Sequence, residues 1–104
     1  MKKKTIPYRP AQPFIKQLLK DPEVRILYEE EKANTLIAQA VKEARFKAGL
    51  TQAQLAARAS TTQAVISRIE SGRDSRIPSL ALLARIAASL KAHLTFGFSF
   101  KKAA

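Results

Sequence analysis

The stretch LTQAQLAARASTTQAVISRIESG, residues 50–72, decides the fold. Its first half predicts a short helix, because Thr51 is a good N-cap and Gln54, three residues later, completes a capping box. Small Ala56 on the apolar side of this helix allows a second helix to cross it closely. A polar Ser-Thr pair then predicts a turn. The stretch therefore begins with a helix and a tight turn.

The second half predicts another helix, with two different faces. Thr62 is the expected N-cap, and apolar side chains recur on the inner face. The small, polar or basic residues of the outer face are Gln63, Ala64, Ser67 and Arg68. Such a face suits the DNA major groove, because a helix fits the groove and its N-terminal side chains reach the base edges. The stretch is therefore interpreted as a DNA-binding helix-turn-helix.

Two side chains of this outer face have the chemistry to read bases. The amide of Gln63 both donates and accepts hydrogen bonds, which matches the N6 and N7 edge of adenine. Arg68 presents a fork of donors that suits guanine O6 and N7 or a phosphate. The alternative is that both are ordinary solvated side chains, because polar faces on amphipathic helices are common. Only the complete pattern favours DNA binding.

The same stretch resembles the helix-turn-helix of the phage-repressor or Xre family, and the resemblance runs from about residue 34 to residue 90. LTQAQLA resembles the first helix of the motif, and TTQ followed by VISRIESG resembles the recognition helix and its exit. PSLALLARIAASL resembles the helices that close the domain. The resemblance implies an all-α, lambda-repressor-like bundle over residues 34–91. The DNA-binding residues that it implies are Gln52, Thr61, Thr62, Gln63, Ala64, Ser67, Arg68, Arg73 and Arg76.

The resemblance also implies roles for individual side chains. Gln52 would bind a phosphate from the start of the first motif helix. Arg73 and Arg76 would hold the DNA backbone from the loop that follows the recognition helix. A structural ion pair between Arg45 and Glu70 is implied as well.

One position departs from the family pattern. Ser60 stands in the turn where the family usually has glycine, and a positive φ is often required there. That backbone conformation costs a non-glycine residue about 1 kcal/mol, which a packed domain tolerates.

The composition agrees with a small nucleic-acid-binding domain. A chain of 104 residues forms one modest core, and its formal net charge of +11 favours nucleic acid or an anionic surface as partner. A membrane surface is the competing interpretation. However, no apolar run approaches the roughly 20 residues that span a bilayer, and the start of the chain lacks the apolar core of a signal peptide. A soluble cytoplasmic protein is therefore expected.

Neither catalysis nor metal binding is expected from the sequence. The chain has no cysteine, which excludes disulfides and thiolate metal sites. His93 is the single histidine, and the carboxylates have neither metal-ligand spacing nor a glycine-rich phosphate loop beside them. We therefore expect no enzyme activity, no metal and no cofactor. An RNA-cleaving enzyme that uses lysines and arginines is the remaining catalytic hypothesis.

Two further regions precede the motif. Residues 1–13 combine lysines with prolines and have no helical period, so they predict a flexible basic arm. Residues 14–33 predict a helical extension, with a strong Asp-Pro-Glu helix start at 21–23. The apolar stripes over residues 22–48 fit either one long helix or two.

Residues 92–104 contain HLTFGFSF, in which large apolar and small polar residues alternate. The alternation predicts a short β-strand whose apolar face is formed by Leu94, Phe96, Phe98 and Phe100. A lone strand leaves its backbone unpaired, so we expect a homodimer that pairs two strands across a twofold axis. Such a dimer suits the two half-sites of a palindromic operator in double-stranded DNA. The alternative is a strand that folds onto its own domain or frays without a partner protein.

The whole arrangement is similar to that of HigA-type antitoxins. The shared parts are an N-terminal helix with DPEVR..YE, a central Xre domain and a short C-terminal strand. The resemblance implies a repressor that neutralises a RelE- or HigB-like mRNA endoribonuclease toxin encoded in the same type II toxin-antitoxin operon. The toxin-binding residues that it implies are Leu27, Tyr28, Glu29, Glu30 and Glu31.

Two observations oppose the antitoxin interpretation. A run of charges is commonly a solvated helix face. A net charge of +11 is also poorly suited to a protein that shields a basic nuclease. The alternative is a stand-alone Xre-family transcription regulator of phage or restriction-modification type.

Overall fold

The structure is a computed structural model that describes residues 12–73 and 76–100. These residues form five α-helices: α1 (Gln12–Leu18), α2 (Pro22–Ala48), α3 (Gln52–Arg58), α4 (Gln63–Ser71) and α5 (Leu80–Ser89). The predicted flexible arm, residues 1–13, lies outside the described residues except for 12 and 13, which begin α1. The described chain is therefore all-α, as the sequence predicts.

The helix α2 is a single uninterrupted helix of 27 residues. It starts as predicted, because the Asp21 side chain accepts a hydrogen bond from the backbone N–H of Glu23 at 2.9 Å and Pro22 occupies the first turn. It ends at Gly49, whose φ of 73° is the left-handed conformation that glycine adopts without strain. The proposed boundary between residues 33 and 34 thus falls inside one helix.

Local hydrogen bonds define the starts of the three helices that follow. The predicted capping box is confirmed: the Thr51 hydroxyl accepts from the Gln54 N–H at 3.0 Å, and the Gln54 side chain accepts from the Thr51 N–H at 2.9 Å. Thr62 caps α4 through the N–H of Val65, and Ser79 caps α5 in the same way. Each helix therefore begins where its sequence offers a side-chain acceptor.

The turn between α3 and α4 has a left-handed residue, and it is a serine. Ser60 has a φ of 58°, which confirms the need for positive φ at this position. Its N–H donates to the Ala57 carbonyl at 3.3 Å, and the N–H of Thr61 donates to the Ala56 carbonyl at 2.9 Å. These two bonds form a Schellman motif, whose left-handed position favours glycine.

Replacing this serine with glycine is expected to stabilise the domain. The left-handed conformation costs a residue with a Cβ atom about 1 kcal/mol. Glycine avoids this cost, but it loses more chain entropy on folding than serine does. We expect Ser60→Gly to raise the free energy of unfolding by about 0.5–1 kcal/mol in urea titrations. Ser67→Gly, at an exposed position inside α4, should lower it by about 0.5 kcal/mol. Equal effects of the two changes would contradict this account.

The core lies where α2, α3, α4 and α5 meet. The helix α4 packs against both α2 and α3, and α5 packs against α3. Leu55 of α3 and Ile66 of α4 are completely buried at the centre. Their buried apolar neighbours are Val41, Ala56, Ala59, Ile69, Leu83 and Ile86. The core therefore fixes the two helices of the motif in one orientation, with small Ala56 inside as predicted.

The predicted C-terminal β-strand is wrong for the described chain. Residues 92–100 contain no strand, and the structure is helical throughout its regular elements. The side chains of Leu94, Phe96, Phe98 and Phe100 do alternate in sequence, but alternation alone supplies no partner for backbone hydrogen bonds. Within the described residues of a single chain, no neighbouring strand offers those bonds. The segment is instead irregular and exposed.

Candidate nucleic-acid interface

The helix α4 presents the polar face that the sequence predicts. Its residues Gln63, Ala64, Ser67 and Arg68 are all exposed, whereas Ile66 on the other side is completely buried. The N-cap residue Thr62 is exposed as well, at the end of α4 that follows the turn. The helix is therefore anchored through one face and leaves the other accessible along its length.

The other residues predicted to contact DNA lie at the edges of this motif. Thr61 is half-buried in the turn, and Gln52 is half-buried at the start of α3. Arg73 and Arg76 are exposed after the end of α4. The N–H of Arg73 donates to the Ser71 hydroxyl at 3.2 Å, which fixes the backbone where the loop leaves the helix. The two arginines thus follow α4 closely in the chain.

A buried ion pair connects three helices behind the exposed face. Arg45 Nε donates to Glu70 Oε2 at 2.7 Å, and Arg45 Nη2 donates to Glu70 Oε1 at 3.0 Å. Arg45 Nη1 also donates to the Leu50 carbonyl at 2.8 Å. Gln52 Nε2 donates to Glu70 Oε1 at 3.1 Å. The structure thus brings together the end of α2, the start of α3 and the end of α4 at one carboxylate.

The pair stays charged in spite of its burial. Burial raises the pKa of Glu70. The hydrogen bonds from Arg45 and Gln52 and the charges of Arg45 and Lys42 lower it by more, so the pKa of Glu70 lies below its ordinary value. The hydrogen bond with Glu70 raises the pKa of Arg45, although burial opposes this effect. The interaction is therefore a bidentate charge pair, whose geometry is specific.

Two further side chains hold the motif, and neither is in the set predicted from the sequence. Arg85 of α5 donates from Nε to the Ala59 carbonyl at 2.9 Å and so supports the end of α3. Buried Asn34 of α2 donates from Nδ2 to the Gly72 carbonyl at 3.5 Å, at the exit of α4. Asn34 lies four residues before buried Ala38, and this helical spacing was the available signal.

The comparisons with known proteins agree with this geometry. The helix-turn-helix family profile matches residues 41–96, which is more than half of the chain. The chain belongs to the helix-turn-helix family. Within the matched range lie the end of α2, all of α3, α4 and α5, and the buried ion pair. No curated protein and no solved structure matches the chain.

Membership of this family sets the general function. The helix-turn-helix domain, of Xre or lambda-repressor type, belongs to DNA-binding transcription regulators and not to a family of enzymes. None of the helices in the described ranges is long and apolar enough to cross a membrane. Across residues 12–73 and 76–100, no group of three His, Asp or Glu side chains is placed to hold a metal ion.

A second exposed surface lies at the N-terminal end of α2, outside the matched range. Five of the eight acidic residues of the chain fall within residues 21–31, beside a single basic residue, so this stretch carries a net charge of −4. The predicted toxin-binding residues Leu27, Tyr28, Glu29, Glu30 and Glu31 are all exposed here. Arg25 pairs with Glu29 at 3.5 Å. We call residues 21–31 the acidic surface.

Proposed function

We propose that this helix-turn-helix protein is an operator-specific repressor that reads bases with the exposed face of α4. The observation that carries the proposal is the division of α4 into a buried apolar face and an exposed face with an amide and a guanidinium. Gln63 would contact adenine, and Arg68 would contact guanine or a phosphate. Gln52, Thr61, Thr62, Ala64, Ser67, Arg73 and Arg76 would complete the DNA-binding surface.

Base contacts and phosphate contacts should be separable by mutation. We expect Gln63→Ala and Arg68→Ala each to cost about 1–3 kcal/mol of binding free energy on the natural upstream DNA and much less on random DNA. Fluorescence anisotropy with both duplexes at one salt concentration measures the difference. Equal losses on both duplexes would show that the two side chains contact only the DNA backbone.

The loop arginines provide the opposite pattern. Arg73→Ala and Arg76→Ala should each weaken binding to both duplexes and reduce the slope of log K against log salt by about 1. The reason is that fewer counterions are released on binding when one phosphate contact is lost. Lys32→Ala, an exposed charge on the acidic-surface side of α2, is the matched control and should leave both affinity and slope nearly unchanged. An unchanged slope in the arginine variants would remove them from the proposed interface.

We further propose that the repressor acts as a homodimer on a palindromic operator. Two copies related by a twofold axis would place their α4 helices in half-sites roughly 34 Å apart, which is one turn of DNA. Support comes from the exposed C-terminal apolar residues, which need a partner even though they form no strand.

The acidic surface supports a second role, that of an antitoxin in a type II toxin-antitoxin operon. Exposed Leu27 and Tyr28 lie beside three consecutive glutamates, so apolar contact and negative charge occur together. A basic, RNA-binding protein such as a RelE- or HigB-like endoribonuclease complements such a surface. Although the whole chain has a net charge of +11, residues 21–31 carry a net charge of −4, so this stretch can pair with a basic partner.

Co-expression with the adjacent reading frame tests the antitoxin role. Purification through a tag on this chain, followed by native mass measurement, should yield a stoichiometric complex with a small basic protein whose RNA cleavage stops on binding. Changing Glu29, Glu30 and Glu31 together to glutamine should weaken that complex, whereas Glu43→Gln, also exposed on α2, should not. A bare homodimer that still binds its upstream DNA would instead identify a stand-alone regulator of phage or restriction-modification type.

A further inference from the structure

An open apolar groove runs between α2, α5 and the irregular segment that follows α5. Its volume is about 610 Å³, and aliphatic side chains of α2 and α5 form most of its wall. Leu36 of α2 and Leu80 of α5 line the groove and remain more than half exposed. A cavity of roughly 150 Å³ is enough to hold a benzene ring, so this groove has room for several aromatic rings.

The phenylalanines that follow the groove-lining residues in the chain do not fill the groove. The irregular segment lines the groove only as far as Gly97. Phe98 and Phe100, beyond that point, are 86% and 89% exposed. Exposed apolar surface of this kind, beside an apolar groove, indicates an interaction site. Phe98 packs edge-on against Phe96 at the edge of the groove, with ring centroids 6.4 Å apart, but both rings stay mostly exposed. A single copy therefore leaves the groove and its phenylalanines largely open to solvent.

We propose that Phe98 and Phe100 of a second copy occupy this groove and that the exchange is reciprocal. A twofold axis relates the two contacts, so each copy gives one aromatic segment and receives one. The inference rests on the homodimeric repressor proposed above and specifies how its two copies join. It requires no β-ribbon, because the contact is made by side chains against α2 and α5.

The area of the exchange is sufficient for a stable dimer. A buried phenylalanine removes about 150–250 Å² from water, so the four phenylalanines of the exchange contribute roughly 800 Å². The walls of the two grooves add roughly half as much again, which brings the total to about 1,200 Å², the lower end of the range for specific interfaces. If the segment instead folded into the groove of its own chain, no contact between two copies would form and the protein would be a monomer.

Measuring the self-association of variants tests the proposal directly. The double variant Phe98→Ser/Phe100→Ser should weaken dimerisation by about 30-fold or more in sedimentation equilibrium, because central aromatic residues dominate interface energy. The matched control is Phe14→Ser/Ile26→Ser, at positions that are 64% and 57% exposed but outside the groove. Circular dichroism confirms that each variant is folded. Equal weakening by both pairs, or a monomeric natural chain, would overturn the proposal.

Cross-linking identifies which copy supplies the segment. The chain has no cysteine, so single cysteines introduced by Leu36→Cys and Ser99→Cys are unique attachment points, and the second lies between the two phenylalanines without replacing either. Mixing these two variants with a short bifunctional maleimide should give a product of two different chains, distinguished by mass tags. Phe14→Cys in place of Ser99→Cys should not. A Leu36→Cys/Ser99→Cys double variant that cross-links only within one chain would show that the segment folds back on its own groove.

DNA-binding measurements distinguish a failure of the proposed exchange from a failure of the proposed repressor function. If the phenylalanine variants are monomers that still bind one half-site but lose affinity for the complete operator, both proposals stand. If the natural chain binds DNA only as a monomer, the exchange and the homodimer are wrong, and the proposal that α4 reads operator bases survives. If the natural chain dimerises through its phenylalanines and does not distinguish its upstream DNA from random DNA, the operator-specific function is wrong and the exchange survives.

Discussion

Replacing Arg45 with methionine should lower the free energy of unfolding by about 3–5 kcal/mol. The change removes three donor contacts and leaves the buried carboxylate of Glu70 with Gln52 as its remaining hydrogen-bond partner. An uncompensated charge in a protein interior is expensive, and the Leu50 carbonyl loses its donor at the same time. Urea unfolding followed by circular dichroism at 222 nm measures the loss.

Two comparisons test whether burial is the reason. Arg25→Met breaks the pair with Glu29, whose side chains are about half exposed, and should cost no more than about 1 kcal/mol. The double variant Arg45→Met/Glu70→Leu removes both charges and should recover most of the stability lost in Arg45→Met alone. If Arg45→Met lowers the free energy of unfolding as little as Arg25→Met does, burial does not make the Arg45–Glu70 pair more important for stability than an exposed pair.

The second large effect is expected at the centre of the motif. Leu55→Ala should lower the free energy of unfolding by about 2–5 kcal/mol, because it leaves a cavity under α4 that the packed helices fill only partly. Leu27→Ala, an exposed leucine on α2, is the matched control and should change it by less than about 0.5 kcal/mol. The same urea titrations measure both.

The Leu55 variant should also lose affinity for DNA, but only through unfolding. Since its exposed α4 face is unchanged, the affinity of the fraction that remains folded should equal that of the natural chain. Adding operator DNA should therefore raise its midpoint of unfolding. A folded Leu55→Ala protein with no affinity for DNA would show instead that this side chain sets the orientation of α4.

The elements predicted most accurately are those defined by contacts between residues three or four positions apart. The capping box of Thr51 and Gln54 and the cap at Thr62 need only their own segment, so the sequence contains all the information. The positive φ of Ser60 is expected from the resemblance to the family, which usually has glycine in this turn. Local chemistry therefore accounts for the starts of the motif helices.

The features that the sequence could not provide depend on distant partners. Asn34 and Gly72 are 38 positions apart, and Arg85 meets the end of α3 from 26 positions away. Whether residues 22–48 form one helix or two also depended on packing, because both arrangements have the same periodicity. The alternation in the C-terminal segment suggested a strand, but a strand exists only where a second one pairs with it.

The continuity of α2 has a geometric consequence for any protein that binds its acidic surface. Leu27 and Arg45 are separated by 18 positions, which in an α-helix is about five full turns and about 27 Å. They therefore point in nearly the same direction, and Arg45 points towards the end of α4. A partner that contacts Leu27 therefore lies on the side of α2 that carries the DNA-binding motif. Its distance from Arg45 along the helix axis is fixed, because the helix between them is continuous. Removing one residue between them would turn that partner by about 100° around the helix axis.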